Sequence, residues 1–239
     1  MSQRPSLLAF AVAALLPLSL AQSARAQEHT QLDDPYIAAK LQLGLGGSVD
    51  SSVSSSSRTV SQSSDLGVSF GLAGQYVHPL HKYFALGGAL GFLSWRSSSG
   101  GSSDGGRNFL FDLAVVPQGK YALLDNLELY LSVPLGLGLD FLNEVNSRNA
   151  IFLPAIGAAA GSEVEGDAAL GFVAGVLLGA RFQVMKSFGL LAELGYVYRT
   201  FGHTVKTSVG SGSGLVSVSG ETDVRVSFGQ FALNLGAYF

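Results

Sequence analysis

DVRVSFGQFALNLGAYF, residues 223–239, closes the chain and sets the reading of everything before it. Counted back from the end, Phe239, Ala237, Leu235, Leu233 and Phe231 share one face, and Tyr238, Gly236, Asn234, Ala232 and Gln230 share the other. A period of two marks a β-strand, whose successive side chains point to opposite faces. An apolar strand ending on an aromatic residue exposes an edge that invites pairing with another chain unless a neighbour covers it. The rest of the sequence has to supply that neighbour.

Working outward, the alternation recurs in seven further stretches, at 36–47, 66–78, 83–96, 108–121, 127–141, 168–184 and 188–200. The clearest is the fifth, where Leu127, Leu129, Leu131, Val133, Leu135, Leu137, Leu139 and Phe141 take every second place. Its Pro134 removes a ladder donor, so a local bulge is expected there. Short turns are expected near 79–82, 124–126 and 185–187. Between them lie a Ser-rich segment at 48–64, read as a flexible loop, a Ser/Gly loop at 97–107, and a long loop at 143–167 with an apolar stretch, 151–161. The excursion 201–222 keeps some alternation around a GSGSG tip and is expected to prolong the last two strands as a hairpin.

Composition decides what such strands face. Only 13% of residues are charged, against about 25% in an ordinary soluble domain. No internal stretch reaches the roughly 18 to 20 apolar residues of a spanning helix. One face of each strand is Leu, Val and Phe with tyrosines near the ends, and the other is dominated by Gly, Ala, Ser and a few charges. The second face is a poor coat for a soluble barrel but suits a narrow interior, so the apolar face is expected to meet lipid. The expected fold is all-β, an eight-stranded antiparallel up-and-down transmembrane β-barrel in which the first strand pairs with the last. Tight turns would face the periplasm, with both chain ends, and the long loops would face outward.

Residues 1–26 read as a cleaved secretory signal, with Arg4, the apolar core LLAFAVAALLPLSLA and the small-x-small site Ala24-Arg25-Ala26, which leaves 27–239 as one barrel domain. The chain has no Cys, so neither a disulfide framework nor a lipid-modified cysteine is available. A weakly acidic chain without a basic run argues against nucleic acid as a partner.

The inward face is expected to carry Lys40, Lys120, Arg181 and Arg199 against Asp112, Glu128, Asp140 and Glu193, an interior network that has to be paired or hydrated. Lys120 and Glu128 are expected directly across their hairpin, and Arg181 within diagonal reach of Glu193. The histidines, His29, His78, His81 and His203, read as loop residues with no chemical role, and His78 and His81 lack an obvious carboxylate partner, so no catalytic, metal or cofactor residues are assigned. The glycine-rich stretches lie between no strand and helix start and are not phosphate cradles.

The signal sequence, the eight strands, the loop alternation and the terminal Phe239 together resemble the small bacterial outer-membrane barrels of the OmpA-like and OmpX-like kind, over essentially the whole mature chain. The resemblance implies outer-membrane lipids and lipopolysaccharide as surroundings. It also implies recognition by the outer-membrane assembly machinery through Phe239 and its alternating neighbours Leu235, Leu233 and Phe231. With nothing after Phe239, the periplasmic domain of the two-part OmpA-like proteins is not expected. A structural or surface-interaction role with a plugged interior is the leading expectation. A narrow channel for small solutes or apolar ligands comes second, and a lipid-modifying enzyme a distant third.

Overall fold

The computed structural model describes residues 34–55, 58–98, 107–141, 163–166, 168–210 and 217–239. The expected signal peptide, the apolar loop stretch 151–161 and most of the GSGSG tip lie outside the described residues.

Strand is the only regular structure among the described residues. The segments are β1 (Tyr36–Ser55), β2 (Arg58–Leu66), β3 (Ser69–His81), β4 (Phe84–Trp95), β5 (Ser97–Ser98), β6 (Asn108–Leu124), β7 (Leu127–Ser132), β8 (Leu135–Phe141), β9 (Glu163–Gly166), β10 (Ala169–Met185), β11 (Phe188–Gly210) and β12 (Ser217–Tyr238). They fall on eight antiparallel staves, because β2 and β3, β4 and β5, β7 and β8, and β9 and β10 each follow one another along a single stave. Each stave pairs with the next, and β12 returns to β1, so the sheet is a closed ring.

Closure runs to the last residue. Ile37 and Phe239 exchange backbone hydrogen bonds of 3.0 and 2.9 Å, and the β1 to β12 register continues through Ala39 with Ala237, Leu41 with Leu235 and Leu43 with Leu233. Between Leu45 and Ser48 the register shifts by one residue. Gly46 and Gly47 sit there at φ 63° and 115°, the left-handed region that glycine enters without a Cβ penalty. The extra residue is a β-bulge, and it reverses which face each side chain takes. Before it Ala38, Lys40 and Gly44 point inward; beyond it Val49 does.

Two sequence expectations fail here. The Ser-rich segment is no loop: its residues pair as β1 with β2, from Ser48 with Asp65 to Ser55 with Arg58, while β12 pairs with the other side of β1 as far as Val53 with Val224. Serine's local preference for turns is overridden, because ladders on both sides of β1 supply the hydrogen bonds that a Ser-rich stretch in isolation would take from water. Nor is there a bulge at Pro134. The partners on either side keep step, Gln118 with Ser132 then Val115 with Leu135, and Leu177 with Ser132 then Ala174 with Leu135. Val133 donates to the Pro117 carbonyl and Gly175 donates to the Pro134 carbonyl, both at 3.0 Å, so both prolines still accept ladder bonds. The 201–222 excursion pairs as expected, with β11 and β12 in register as far as Gly210 with Ser217.

The outward face is a continuous apolar band around the ring, including Leu41, Leu72, Leu90, Leu113, Leu178 and Leu194, each more than half exposed. Aromatic rings gather on it at one level, with Phe92 5.7 Å from Phe109 and 5.0 Å from Phe111. At the tight-turn end Tyr76, Tyr83 and Tyr121 are exposed, and Lys82 lies over the Tyr83 ring. Such a band, flanked by amphipathic rings, fits a lipid bilayer. Leu131 lies within it, 48% exposed. Leu131→Arg is expected to cost about 2 to 4 kcal/mol of barrel stability, measured by reversible unfolding in lipid vesicles. A change near zero would show that this face does not meet hydrocarbon.

Candidate functional site

The interior of the ring is where buried titratable side chains converge among the described residues, and it is built in layers. At the tight-turn end the Tyr36 and Tyr238 rings meet edge to face, 5.4 Å apart. Arg181 lies between the staves with its guanidinium 4.2 Å from the Tyr36 ring and 5.1 Å from the Tyr238 ring. Its charge is met by Glu128 at 3.0 Å, and Lys120 stands 3.8 Å from the same carboxylate. Gly179 and Gly189 make this layer possible, because a Cβ on either would overlap the Tyr130 or Tyr238 ring. Glycines of the weak face are thus filled by tyrosines of neighbouring strands.

One layer further in, Glu193 accepts hydrogen bonds from Lys40 at 2.7 Å, Tyr130 at 2.9 Å and Asn234 at 2.8 Å. Lys40 also donates to Gln75. Above this level Arg199 binds one oxygen of Asp112 through two nitrogens, at 2.8 and 3.1 Å. The far end is closed by a cluster of Trp95, Leu110, Phe201, Phe228 and their aliphatic neighbours, with Trp95 5.0 Å from Phe228. Within it Trp95 donates to Asp140 at 3.1 Å, and His203 Nε2 stands 3.3 Å from the other Asp140 oxygen.

All eight charged residues singled out from the sequence line this interior, seven of them buried and Asp112 half-buried. Their pairing differs from the expectation. Lys120 lies opposite Tyr130, so it reaches Glu128 diagonally, while Arg181 is the residue directly opposite Glu128 across β10 and β7. Arg181 stands opposite Leu191 and so diagonal to Glu193, as expected, while its ion pair at 3.0 Å is with Glu128; Lys40 holds Glu193 at 2.7 Å. The sequence shows only which face a charge takes. Which residue stands opposite is set by strand register, and which stave faces it across the ring by closure.

His203 also departs from its reading as a loop residue, for it lies in β11, buried beside Asp140. His78 and His81, by contrast, are exposed beside Tyr76 and Tyr83. The aromatic closure at the far end went unread. Its signal was present, because Trp95 shares the parity of Ala85, Ala89 and Gly91, Phe201 that of Glu193 and Arg199, and Phe228 that of Gln230. No group of three metal-ligating side chains occurs among the described residues.

A closed eight-stave ring, apolar outside and ion-paired inside, is now defined. The fold is an all-β, eight-stranded antiparallel up-and-down barrel. Among solved structures, OprG of Pseudomonas aeruginosa is similar over 88% of this chain and 96% of its own, at 9% identity and a TM-score of 0.49. Neisserial surface protein A is similar over 85% and 95%, at 14% identity and a TM-score of 0.39. The outer membrane protease OmpT of Escherichia coli is similar over 90% and 99%, at 10% identity and a TM-score of 0.46. Similarity at this level concerns fold alone. No protein-family model and no curated protein matches the sequence.

Truncating one partner of a buried ion pair strands the other charge, typically at about 3 to 5 kcal/mol. Glu193→Ala, which removes three hydrogen bonds at once, is expected to lose stability in that range in vesicle unfolding. The double variant Lys40→Met with Glu193→Leu should lose less than Glu193→Ala alone, since no charge is then left without a partner.

Proposed function

We propose that the chain is an integral outer-membrane barrel with a plugged lumen, acting structurally or through its outer loops, and that it is not an enzyme. The observation that carries this reading is the double closure of the interior: Arg181 with Tyr36 and Tyr238 at one end, and Trp95 with Phe201 and Phe228 at the other. Eight-stranded barrels have interiors just wide enough for side chains to fill, and here bulky groups fill both ends. The eight interior charges serve as a neutralising network that holds those plugs in register. Residues 1–26 act as the export signal, both ends of the mature chain lie on the periplasmic side with the tight turns, and the rim contacts lipopolysaccharide.

A narrow path for small solutes is the second reading. It is favoured by a cavity of about 70 Å³ left between the two plugs. Planar-bilayer recording separates the two: the plugged barrel is expected to give no discrete openings. Reproducible unit conductances altered by Asp112→Ala or Arg181→Ala would establish the path instead. Incubation with lipopolysaccharide, followed by mass spectrometry of lipid A, is expected to leave the lipid unchanged.

The terminal strand serves as the assembly signal. Phe231, Leu235 and Phe239 are exposed on the outer face, with Leu233 between them on the same face. Removal of Phe239 also breaks the closing exchange with Ile37. This deletion is expected to reduce the heat-modifiable, membrane-inserted form in cells while the purified chain still refolds in detergent. Undiminished insertion would leave closure intact and remove the signal role.

A further inference from the structure

The chamber between the plugs has two unlike walls. Staves β12, β1 and β3 present carboxamides, Gln230, Asn234, Gln42 and Gln75, while Val116, Pro134, Val173, Leu177 and Val197 form the opposite side. The ion pairs Lys40 with Glu193 and Arg199 with Asp112 bound it below and above, so it carries no net charge.

Its polar side is not self-satisfied. Gln42 Oε1, Asp112 Oδ1, Gln230 Oε1, Asn234 Oδ1 and Gln75 Nε2 are buried on chamber-lining residues without a protein hydrogen-bond partner. Gln75, Gln230 and Asn234 are each at most 3% exposed. Two of the amide orientations are set by charge. The Asn234 nitrogen has to face the Glu193 carboxylate, which leaves its oxygen over, and the Gln75 oxygen has to face the Lys40 ammonium, which leaves its NH₂ over. Gln230 is seated against Gly44, where a Cβ would overlap its amide, and donates to Ser69. A Cβ at Gly91 would come within 3.4 Å of Gln42 Oε1, so the chamber is shaped by missing side chains as well as present ones.

Buried polar atoms of this kind are ordinarily matched, because leaving one unmatched costs about 1 to 3 kcal/mol. The fixed groups leave acceptors at Asn234 Oδ1 and Asp112 Oδ1 and a donor at Gln75 Nε2, while Gln42 and Gln230 can turn either end of their amides inward, so the complement is a molecule that carries both N–H donors and a carbonyl. Its net charge should be zero, because every ionic group present is already paired. A cavity of about 70 Å³ is about half of one that takes benzene, which suits a solute of about four heavy atoms. We propose that the lumen chamber is a binding site for a small uncharged amide or urea-type solute, whose nitrogens face the carboxamide wall and whose remainder lies on the Val/Leu/Pro wall. This holds whether or not the lumen conducts, since binding is read at equilibrium.

The test is a titration of the ¹⁵N-labelled refolded barrel in detergent micelles, following the side-chain amide signals of Gln75 and Asn234, with Gln183 near the turn as control. Acetamide and non-denaturing urea are the probes, with acetone as an acceptor-only molecule of the same size and acetate as a charged one. Saturable shifts at Gln75 and Asn234, with acetone and acetate at least tenfold weaker, are expected. Ala73→Leu or Ala89→Leu, each filling the chamber from a small side chain, should abolish saturation while the protein retains its heat-modifiable mobility. Shifts that grow linearly and equally at Gln183, or equal binding of acetone, would overturn the proposal and leave the polar wall to water alone. The wild-type titration decides this even if neither filled variant folds.

Discussion

Every feature of this barrel depends on the ladder between β1 and β12. Within hydrocarbon no water is present to accept or donate, so each unpaired backbone group would cost several kcal/mol and an open edge is not tolerated. The first and last strands therefore have to meet, and they do so from the exchange of Ile37 with Phe239 to the pairing of Val53 with Val224. Only after this closure do eight half-faces become one interior. The bulge at Gly46 and Gly47 is the single register shift in that seam, and it turns Val49 into the aromatic plug at the far end.

Closure also explains why so many charges are tolerated away from water. A lone ion in such an interior would cost several kcal/mol, and each carboxylate of the network is met by a donor from another stave. Glu193 draws on β1, β7 and β12, Glu128 on β6 and β10, and Asp112 on β11. The Lys40 to Glu193 and Arg199 to Asp112 bonds join staves that are not neighbours, so they fix the staves relative to one another as well as neutralising the space. The two ends of the lumen are packed by different chemistry. Near the tight turns a guanidinium stacks on tyrosines, and at the far end packed rings exclude water around the Trp95 to Asp140 hydrogen bond. Between them the walls are smaller, and a chamber remains.

The faces of the strands were legible because lipid and lumen impose opposite demands on successive residues. That alternation assigned Leu131 outward and Glu128 inward without any knowledge of neighbours. It failed where pairing overrode a local preference. The serines of 48–64 favour turns locally, and they became strand because β12 and β2 flank β1 on both sides. It failed again at Pro134, where neighbouring N–H groups still find the proline carbonyls and no extra residue is needed.

What the sequence determined by itself was periodicity and composition: eight alternating stretches, a small-residue face bearing balanced charges, and an apolar face ending in Phe239. These are local properties, readable residue by residue. The tertiary structure alone decided the partners. Arg181 found Glu128 through the register of neighbouring staves, while Lys40 found Glu193 because closure brings together staves far apart in the chain, 153 positions from one residue to the other. A strand's own sequence specifies the face of each side chain, but the groups across a lumen exist for it only once the sheet has closed.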